Sequence, residues 1–301
     1  MKMEAVRTPE ERFDNLPDFP FAPSYADDLP GYEGLRAAFI DEGPKGAANT
    51  FLCLHGEPSW SFLYRKMIPV FLASGARVVA PDFFGFGRSD KPVNDADYTF
   101  HFHRNYLLRL IEKLDLKNIT LVVQDWGGLL GLTLPVDDGV QPRIARLLVM
   151  NTTIATGEPA GPGFEAWRNF MASQPDLAVG RLMKRGTPIL SEAEAAAYDA
   201  PFPDQRYKAG VRRFPQLVMT DPDMEGVAES KAAQEFWAKT WNGKSFMAIG
   251  GADPVFSADR MEALRANIRG CPPAMVIKDA GHFVQEWGAP IAEAALKSYG
   301  A

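Results

Sequence analysis

Short apolar runs alternate with longer amphipathic segments along the first half of the chain. The apolar runs carry Val, Ile, Leu and Phe with few polar residues between them, which is typical of strands buried on both faces. They predict strands at Leu35–Asp41, Thr50–Leu54, Arg77–Ala80, Ile119–Gln124 and Arg146–Asn151. The segments between them predict helices at Phe62–Leu72, Tyr98–Leu114 and Gly128–Val136. This order favours a parallel sheet with helices on both sides.

The middle of the chain lacks this alternation. From Thr152 to Glu235 no stretch has the pattern of a strand, while proline-rich turns (GEPAGPG, APFPDQ) and helical stretches such as SEAEAAAYD recur. The first pattern then resumes, with strands predicted at Ser245–Gly250 and Ala274–Lys278 and helices at Ala258–Ile268 and Ile291–Tyr299. We expect an α/β core of residues 1–151 and 236–301. A helical cap of residues 152–235 would be inserted at the carboxyl edge of the sheet, where α/β proteins bind ligands.

Charge and composition narrow the class of protein. The formal net charge is −6, and such mild acidity argues against a nucleic-acid surface, which would be basic. No run of about 18 apolar residues occurs, so no membrane span is expected. The polar start has no apolar stretch for a signal peptide, and Cys53 and Cys271 form no disulfide framework. We therefore expect a cytoplasmic protein.

One apolar run ends in a carboxylate and two glycines, at residues 121–131 (LVVQDWGGLLG). A nucleophile elbow is a strand followed by a nucleophile on a sharp turn into a helix, and Asp125 stands at the nucleophile position. Val123 occupies a position that is usually glycine in this motif. Taken alone, Asp125 could instead be a helix N-cap, because aspartate is common at helix starts.

Two further polar residues follow predicted strands and complete a constellation. Asp253 comes directly after MAIGGA, and His282 lies in the glycine turn KDAGHF. Nucleophile, acid and histidine in this chain order match the triads of α/β hydrolases. Asp253 can hold the His282 ring in one tautomer, so the combination favours a catalytic triad. His101 and His103, two residues apart on a predicted helix, cannot face one metal ion, and no metal site is expected.

Two loops rich in small residues have different interpretations. Residues 55–60 (HGEPSW) form either a simple strand-to-helix turn or a loop that turns a backbone N–H toward an oxyanion. Residues 81–92 (PDFFGFGRSDKP) lack the third glycine and the lysine of phosphate-binding loops. We expect Asp82, Arg88 and Asp90 to fix that turn.

Several stretches together resemble the haloalkane dehalogenases of the α/β-hydrolase fold. They are HGEPSW, PDFFGFGRSDKP, VVQDWGGLLGLTLP, FEAWRNF, APFPDQRYKAGVRRFP and DAGHFVQEWG, and the resemblance runs from about residue 30 to 300. Within that family, the resemblance is to the subfamily in which the acid of the triad follows the first strand after the cap. It implies Asp125 as nucleophile, His282 as base and Asp253 as acid, with the indoles of Trp126 and Trp167 as halide donors.

The implied chemistry suits these residue types. A carboxylate is already a nucleophile at neutral pH, so Asp125 could displace halide from an sp³ carbon and form an alkyl ester. His282 would then activate water, while the backbone N–H groups of Glu57 and Trp126 stabilise the oxyanion. We expect a haloalkane substrate, a halide product, no cofactor, no nucleic-acid or membrane partner, and a monomer.

The pocket and the alternatives rest on further residues. Candidate apolar walls, for which ordinary core packing is an equal alternative, are Leu129, Phe164, Val218, Val255 and Phe256. An epoxide hydrolase would share the triad but needs phenol donors from the cap, and Tyr198 and Tyr207 keep that possibility open. Glu57 after His-Gly and a second cap indole stand against it. A non-catalytic binding protein is the third possibility, although it need not keep a full triad.

Overall fold

The computed structural model describes residues 3–300, which form one large and one small β-sheet with helices around them. The strands are β1 Ala5–Val6, β2 Pro23–Ala26, β3 Ala37–Glu42, β4 Thr50–Leu54, β5 Arg77–Pro81, β6 Lys91–Pro92, β7 Ile119–Val123, β8 Ile144–Met150, β9 Lys244–Gly250 and β10 Met275–Ile277. The α-helices are α1 Ile68–Ala73, α2 Phe100–Lys113, α3 Trp126–Gly131, α4 Pro162–Ala172, α5 Val179–Gly186, α6 Glu192–Asp199, α7 Ala209–Leu217, α8 Val227–Glu235, α9 Ala258–Asn267 and α10 Gly288–Tyr299. Short 3₁₀ turns lie at Glu10–Phe13, Ser61–Tyr64, Asp95–Asp97, Leu134–Val136, Gln141–Arg143, Gln205–Tyr207 and Val284–Trp287, and a π-helical turn at Phe236–Thr240.

The large sheet is mostly parallel and carries the core. Its strand order is β10-β9-β8-β7-β4-β5-β3-β2. The strands from β10 to β5 pair in parallel, and β3 and β2 pair antiparallel at the other edge. Every residue of β4, β5 and β7 is buried, which explains their continuous apolar sequence. The predicted α/β class, a mostly parallel sheet flanked by helices, is confirmed.

Proline divides two segments that the sequence predicts as single helices. Phe62–Leu72 is a 3₁₀ turn followed by α1, with Pro69 in the first turn of α1. Gly128–Val136 is α3, which begins at Trp126, and a separate 3₁₀ turn that contains Pro135. Because proline has no N–H to donate, it is readily accepted in the first turn of a helix and is unfavourable inside one.

Three strands are absent from the predicted set. β1 and β6 have two residues each and pair only with one another, and β2 covers the antiparallel edge of the large sheet. A strand of two residues is too short to have a periodic pattern of apolar residues. β1 and β6 are therefore defined by contacts between segments that are distant in the sequence. One such contact is the pair of hydrogen bonds from Arg7 to Asp90, at 2.7 and 2.8 Å.

Between β8 and β9 the chain forms helices and turns without a strand, in residues that are all described. Here α4 packs against α7, and α5 packs against α6. This segment leaves the sheet at the carboxyl end of β8, as expected of a cap, although its separation from the core as a domain stays a prediction. No helix among residues 3–300 has the length and apolar character needed to cross a membrane.

A buried ionic cluster fastens α6 to the core. Arg65 donates two hydrogen bonds of 2.7 Å to Glu286 and one of 2.6 Å to Glu194. The side chains of Arg65 and Glu286 have no exposed surface. Glu194 and Tyr198 belong to α6, and the Tyr198 hydroxyl also donates to Glu286. Because water does not solvate these two buried charges, each is stabilised only by the other and by its hydrogen bonds.

We predict that Glu286→Gln lowers the free energy of unfolding by about 3 kcal/mol, because it removes the fully buried carboxylate that pairs with Arg65 and leaves the guanidinium only the partly exposed Glu194. Denaturant unfolding monitored by circular dichroism measures this change. Glu262→Gln is the matched control, since Glu262 pairs with Arg265 on the exposed surface of α9 and the change should not be resolvable. Equal effects of the two substitutions would contradict the assignment of the cluster as a buried anchor.

Candidate active site

The turn between β7 and α3 holds Asp125 in a backbone conformation that is rare for a residue with a side chain. Its φ is 49° and its ψ is −124°. The Asp125 N–H donates to the Asn151 carbonyl at 2.9 Å, and Thr152 Oγ1 donates to the Asp125 carbonyl at 2.7 Å. The side chain makes no capping hydrogen bond to α3, so a simple N-cap role does not account for it. Neighbouring groups hold a strained turn and direct the carboxylate outward, as at functional sites.

Glycine is required where other segments approach this turn. A Cβ atom on Gly56 would lie 2.4 Å from the Asp125 Cβ, and one on Gly127 would lie 2.0 Å from the Leu54 carbonyl oxygen. Both distances are far inside van der Waals contact. Gly127, which follows the nucleophile, and Gly56, from the loop after β4, therefore both keep the turn uncrowded.

The structure brings the three predicted triad residues together. His282 Nδ1 lies 2.9 Å from Asp253 Oδ2, and His282 Nε2 lies 3.4 Å from Asp125 Oδ2. The three side chains follow β7, β9 and β10, whose carboxyl ends meet at one edge of the sheet. The imidazole therefore lies between the two carboxylates, in the arrangement that a triad needs.

Asp253 is held by donors on every side. Asn151 Nδ2 donates to Oδ2 at 2.8 Å, and the Val255 N–H donates to Oδ1 at 2.7 Å. Burial raises the pKa of Asp253, but His282 and these donors outweigh burial and lower it below its ordinary value. Asn151 was not predicted as a site residue. The available signal was a polar residue at the carboxyl end of a predicted strand, the same signal that identified Asp253.

His282 has opposing influences on its protonation. Burial lowers the pKa of His282, but Asp253 and Asp125 outweigh this effect and raise it to about 10. Gln124 Nε2 lies 3.1 Å from Nε2 of the ring and also donates to the His282 carbonyl. An amide donor there can bond only to an unprotonated ring nitrogen, so Gln124 favours the basic form. Sequence reasoning missed Gln124, although it directly precedes the nucleophile.

A cavity of about 920 Å³ opens over these residues. Asp125 and His282 are part of its wall. The predicted apolar wall residues all line it: Leu129, Phe164, Val218, Val255 and Phe256. Their contribution to substrate binding stays a prediction. Exposed polar side chains, among them Arg185 and Gln234, also line the cavity and mark its solvent-facing part.

Two indole groups in the cavity wall have no acceptor. Trp126 is buried and Trp167 is half-buried, and both line the cavity. Within residues 3–300 neither indole N–H makes a hydrogen bond. The buried indoles elsewhere do, to a backbone carbonyl or a serine hydroxyl, namely those of Trp60, Trp237 and Trp241. Because a buried indole N–H requires an acceptor, that of Trp126 can receive a ligand anion, and Trp167 presents a second indole N–H to the same cavity.

The two predicted backbone donors beside the nucleophile differ. The Glu57 N–H donates to Asp125 Oδ1 at 2.8 Å. The Trp126 N–H makes no hydrogen bond to any part of the chain that the structure describes, and it stands at the first residue of α3. One donor thus orients the carboxylate, and the other is available to an oxygen that forms next to it.

The cap tyrosines lie outside the cavity. Tyr198 is fully buried and bonded to Glu286, and Tyr207 packs beside Arg206. Among the described residues, none of those lining the cavity is a tyrosine. The phenol donors that an epoxide hydrolase would need are therefore missing from this site.

Two of the remaining histidines, His101 and His103, have structural surroundings. His101 is half exposed and pairs with Glu225 and Glu229, while His103 is buried among aromatic rings that include Phe214. Burial lowers the pKa of His103 to about 3, so its ring is neutral at pH 7. No three His, Cys, Asp or Glu side chains among residues 3–300 are grouped to hold a metal ion.

Comparison with known proteins connects this geometry to a family. A family model described as the alpha/beta hydrolase fold matches residues 49–289. A haloalkane dehalogenase of Mycobacterium marinum is 46% identical over 299 residues, which are 96% of this chain and 97% of that protein. Another, of Psychrobacter cryohalolentis, is 44% identical over 290 residues, 94% of each chain. This chain belongs to the haloalkane dehalogenase family.

Solved structures of the dehalogenase family extend the comparison. Haloalkane dehalogenase DpaA from Paraglaciecola agarilytica is 55% identical, with a TM-score of 0.96 over 98% of this chain and 99% of that chain. DbeA from Bradyrhizobium elkani is 22% identical with a TM-score of 0.73, covers 92% of this chain and 98% of its own, and shares the fold. The DpaA structure is described as tetrameric, so the expectation of a monomer does not fit this relative.

We predict that Asp253→Asn lowers the pKa of His282, because it removes the first of the two carboxylates that raise it to about 10. In the wild-type protein the protonated His282 contributes to the stability of the fold. This contribution is complete below about pH 6.5 and is lost as the pH rises to about 10. Nitrogen NMR of the imidazole measures the pKa, and denaturation at several pH values measures the stability.

The matched control is Asp259→Asn, an exposed carboxylate at the start of α9. It should leave the His282 titration unchanged. A His282 pKa that is equal in the wild type and in the Asp253 variant would contradict the electrostatic account of the triad.

Proposed function

We propose that this protein hydrolyses carbon–halogen bonds of haloalkanes and yields an alcohol, a halide ion and a proton. The observation that carries the proposal is an ionised nucleophile, Asp125, ion-paired with His282 at the wall of a cavity that also presents two unpartnered indole N–H groups. Each of these groups has a separate task in the reaction. We also propose a cytoplasmic location.

In the first step Asp125 is the nucleophile. Its carboxylate oxygen attacks the halogen-bearing sp³ carbon, the carbon–halogen bond breaks, and the halide leaves with the electron pair. Asp125 becomes an alkyl ester. The Glu57 N–H, 2.8 Å from Oδ1, orients the carboxylate for this attack.

The leaving halide carries a negative charge and needs hydrogen-bond donors where it departs. Trp126 adjoins the nucleophile, and Trp167 projects from α4 into the same cavity. Their indole N–H groups would bind the ion and stabilise the negative charge as it develops. Phe214 packs edge-on against the Trp126 ring, with centroids 4.7 Å apart, and fixes its direction.

In the second step His282 is the base. Formation of the ester removes the negative charge of Asp125, one of the two charges that raise the pKa of His282. The imidazolium then becomes a stronger acid and releases its Nε2 proton to solvent, which is the proton among the products. The neutral ring is an acceptor at Nε2, a state that Gln124 favours as well. The neutral ring takes a proton from water, and the resulting hydroxide adds to the ester carbonyl. The tetrahedral intermediate then collapses: the acyl C–O bond breaks, the alcohol leaves with the proton of the added hydroxyl group, and Asp125 is again a carboxylate. Asp253 stabilises the imidazolium, and the N–H groups of Glu57 and Trp126 stabilise the oxyanion.

We predict that His282→Gln releases bromide from 1-bromobutane in an amount equal to the enzyme and then stops, because the ester forms and is not hydrolysed. Mass spectrometry should find a butyl group on Asp125. Asp125→Asn should release no bromide and carry no adduct. Bromide assays and intact-mass measurements check both results.

His101→Gln is the control, since His101 is half exposed and does not line the cavity, and this variant should turn over fully. Diol formed from an aliphatic epoxide without bromide release would establish the epoxide hydrolase instead. If neither the wild type nor any variant yields bromide, diol or adduct, the remaining hypothesis is a non-catalytic binding protein.

We predict that Trp126→Phe and Trp167→Phe each weaken bromide binding roughly tenfold or more. A hydrogen bond from a neutral donor to a charged acceptor contributes roughly 1.5–3 kcal/mol. Titration calorimetry with sodium bromide measures the affinity. Trp287→Phe is the matched control, because its half-buried indole does not line the cavity. Unchanged affinity in both cavity variants would remove the proposed halide site.

A further inference from the structure

Glu57 places a second carboxyl group in the cavity wall beside the nucleophile. The residue is only 6% exposed and lines the cavity together with Asp125. Its Oε1 atom is enclosed and has no hydrogen-bond partner among the residues that the structure describes. The reaction as proposed uses the Glu57 backbone N–H and gives the side chain no task.

The surroundings of this side chain disfavour a negative charge. An ionised carboxylate in a dry environment requires a cation or several donors. The charged groups that face Glu57 are the Asp125 carboxylate, which has the same sign, and the His282 imidazole. His282 already pairs with Asp125 and Asp253. Burial and Asp125 raise the pKa of Glu57 well above 4.5, and His282 offsets this only in part.

We infer that Glu57 carries a proton at neutral pH and that its uncharged carboxylic acid is a positioning group that donates a hydrogen bond into the cavity next to Asp125. The two neighbouring carboxyl groups then divide their roles, one ionised as nucleophile and one neutral as donor. Pairs of acids in different environments separate in this way when their charges would otherwise repel. The protonation is independent of the reaction, whereas the positioning role rests on the proposed function.

A neutral group at this position matters because negative charge moves through the cavity twice. The leaving halide carries it in the first step, and the tetrahedral oxyanion carries it in the second. The oxyanion would be bound by the backbone N–H of Glu57 itself, so a carboxylate on the same residue would oppose the charge that the N–H stabilises. A carboxylic acid adds a donor instead.

Infrared spectroscopy of the free protein tests the protonation directly. At pH 7 the wild type should have a carbonyl band of a protonated carboxylic acid that is lost in Glu57→Gln. The band should remain in Glu158→Gln, the matched control, because Glu158 lines the same cavity but is exposed. In Asp125→Asn it should also remain but titrate at lower pH, since the neighbouring negative charge has been removed.

Thermal unfolding provides a second measurement. A proton held more tightly by the folded than by the unfolded chain makes the wild type lose stability as the pH rises above about 4.5. The melting temperature of Glu57→Gln should therefore rise relative to the wild type between about pH 5 and pH 8, while Glu158→Gln should parallel the wild type. No acid band at pH 7, or a difference that is independent of pH, would overturn the inference.

Kinetics test the positioning role. Glu57→Ala should lower kcat for bromide release by tenfold or more, and Glu57→Gln, which keeps a neutral donor, should restore most of that loss. Equal losses in the two variants would overturn the donor role. A wild type that has the acid band but releases no bromide would refute the proposed function while leaving the protonation in place.

Discussion

The left-handed backbone of Asp125 is the constraint on which the rest of the site depends. A carboxylate at the end of a buried strand can face a cavity only if the chain turns sharply before the next helix, and at φ 49° that turn is strained. The strain is balanced by the bonds to Asn151 and Thr152 and by the missing side chain of Gly56. The loops after β4, β7 and β8 therefore meet at Asp125, and its backbone conformation depends on all three.

Asn151 connects this turn to the rest of the triad. Its carbonyl accepts from the Asp125 N–H, its side chain donates to Asp253, and its amide oxygen accepts from the Gly250 N–H. The nucleophile and the acid are thereby tied to one residue at the end of β8. A displacement of one would therefore be transmitted to the other through a fully buried amide.

The sequence predicted what depends on local pattern and missed what depends on distant contacts. Buried strands such as β4 were placed to the residue, because parallel strands have continuous apolar runs. Asp125, Asp253 and His282 could be named because each follows a strand. Asn151 and Gln124 follow strands too, but an amide side chain is neither a nucleophile nor an acid or base. Its role can be recognised only when its hydrogen-bond partner is known, which is Asp253 for Asn151 and His282 for Gln124.

Electrostatics around the imidazole changes during the proposed cycle without any movement of the chain. In the free protein two carboxylates raise the pKa of His282 to about 10, so the ring is a cation that pairs with the nucleophile. The ester neutralises Asp125, which lowers the pKa of the ring, so the ring releases its Nε2 proton to solvent and becomes a base next to the Gln124 amide. A protonated Glu57 is compatible with both states, since it adds no charge to either. The covalent step itself thus switches the histidine from ion-pair partner to base.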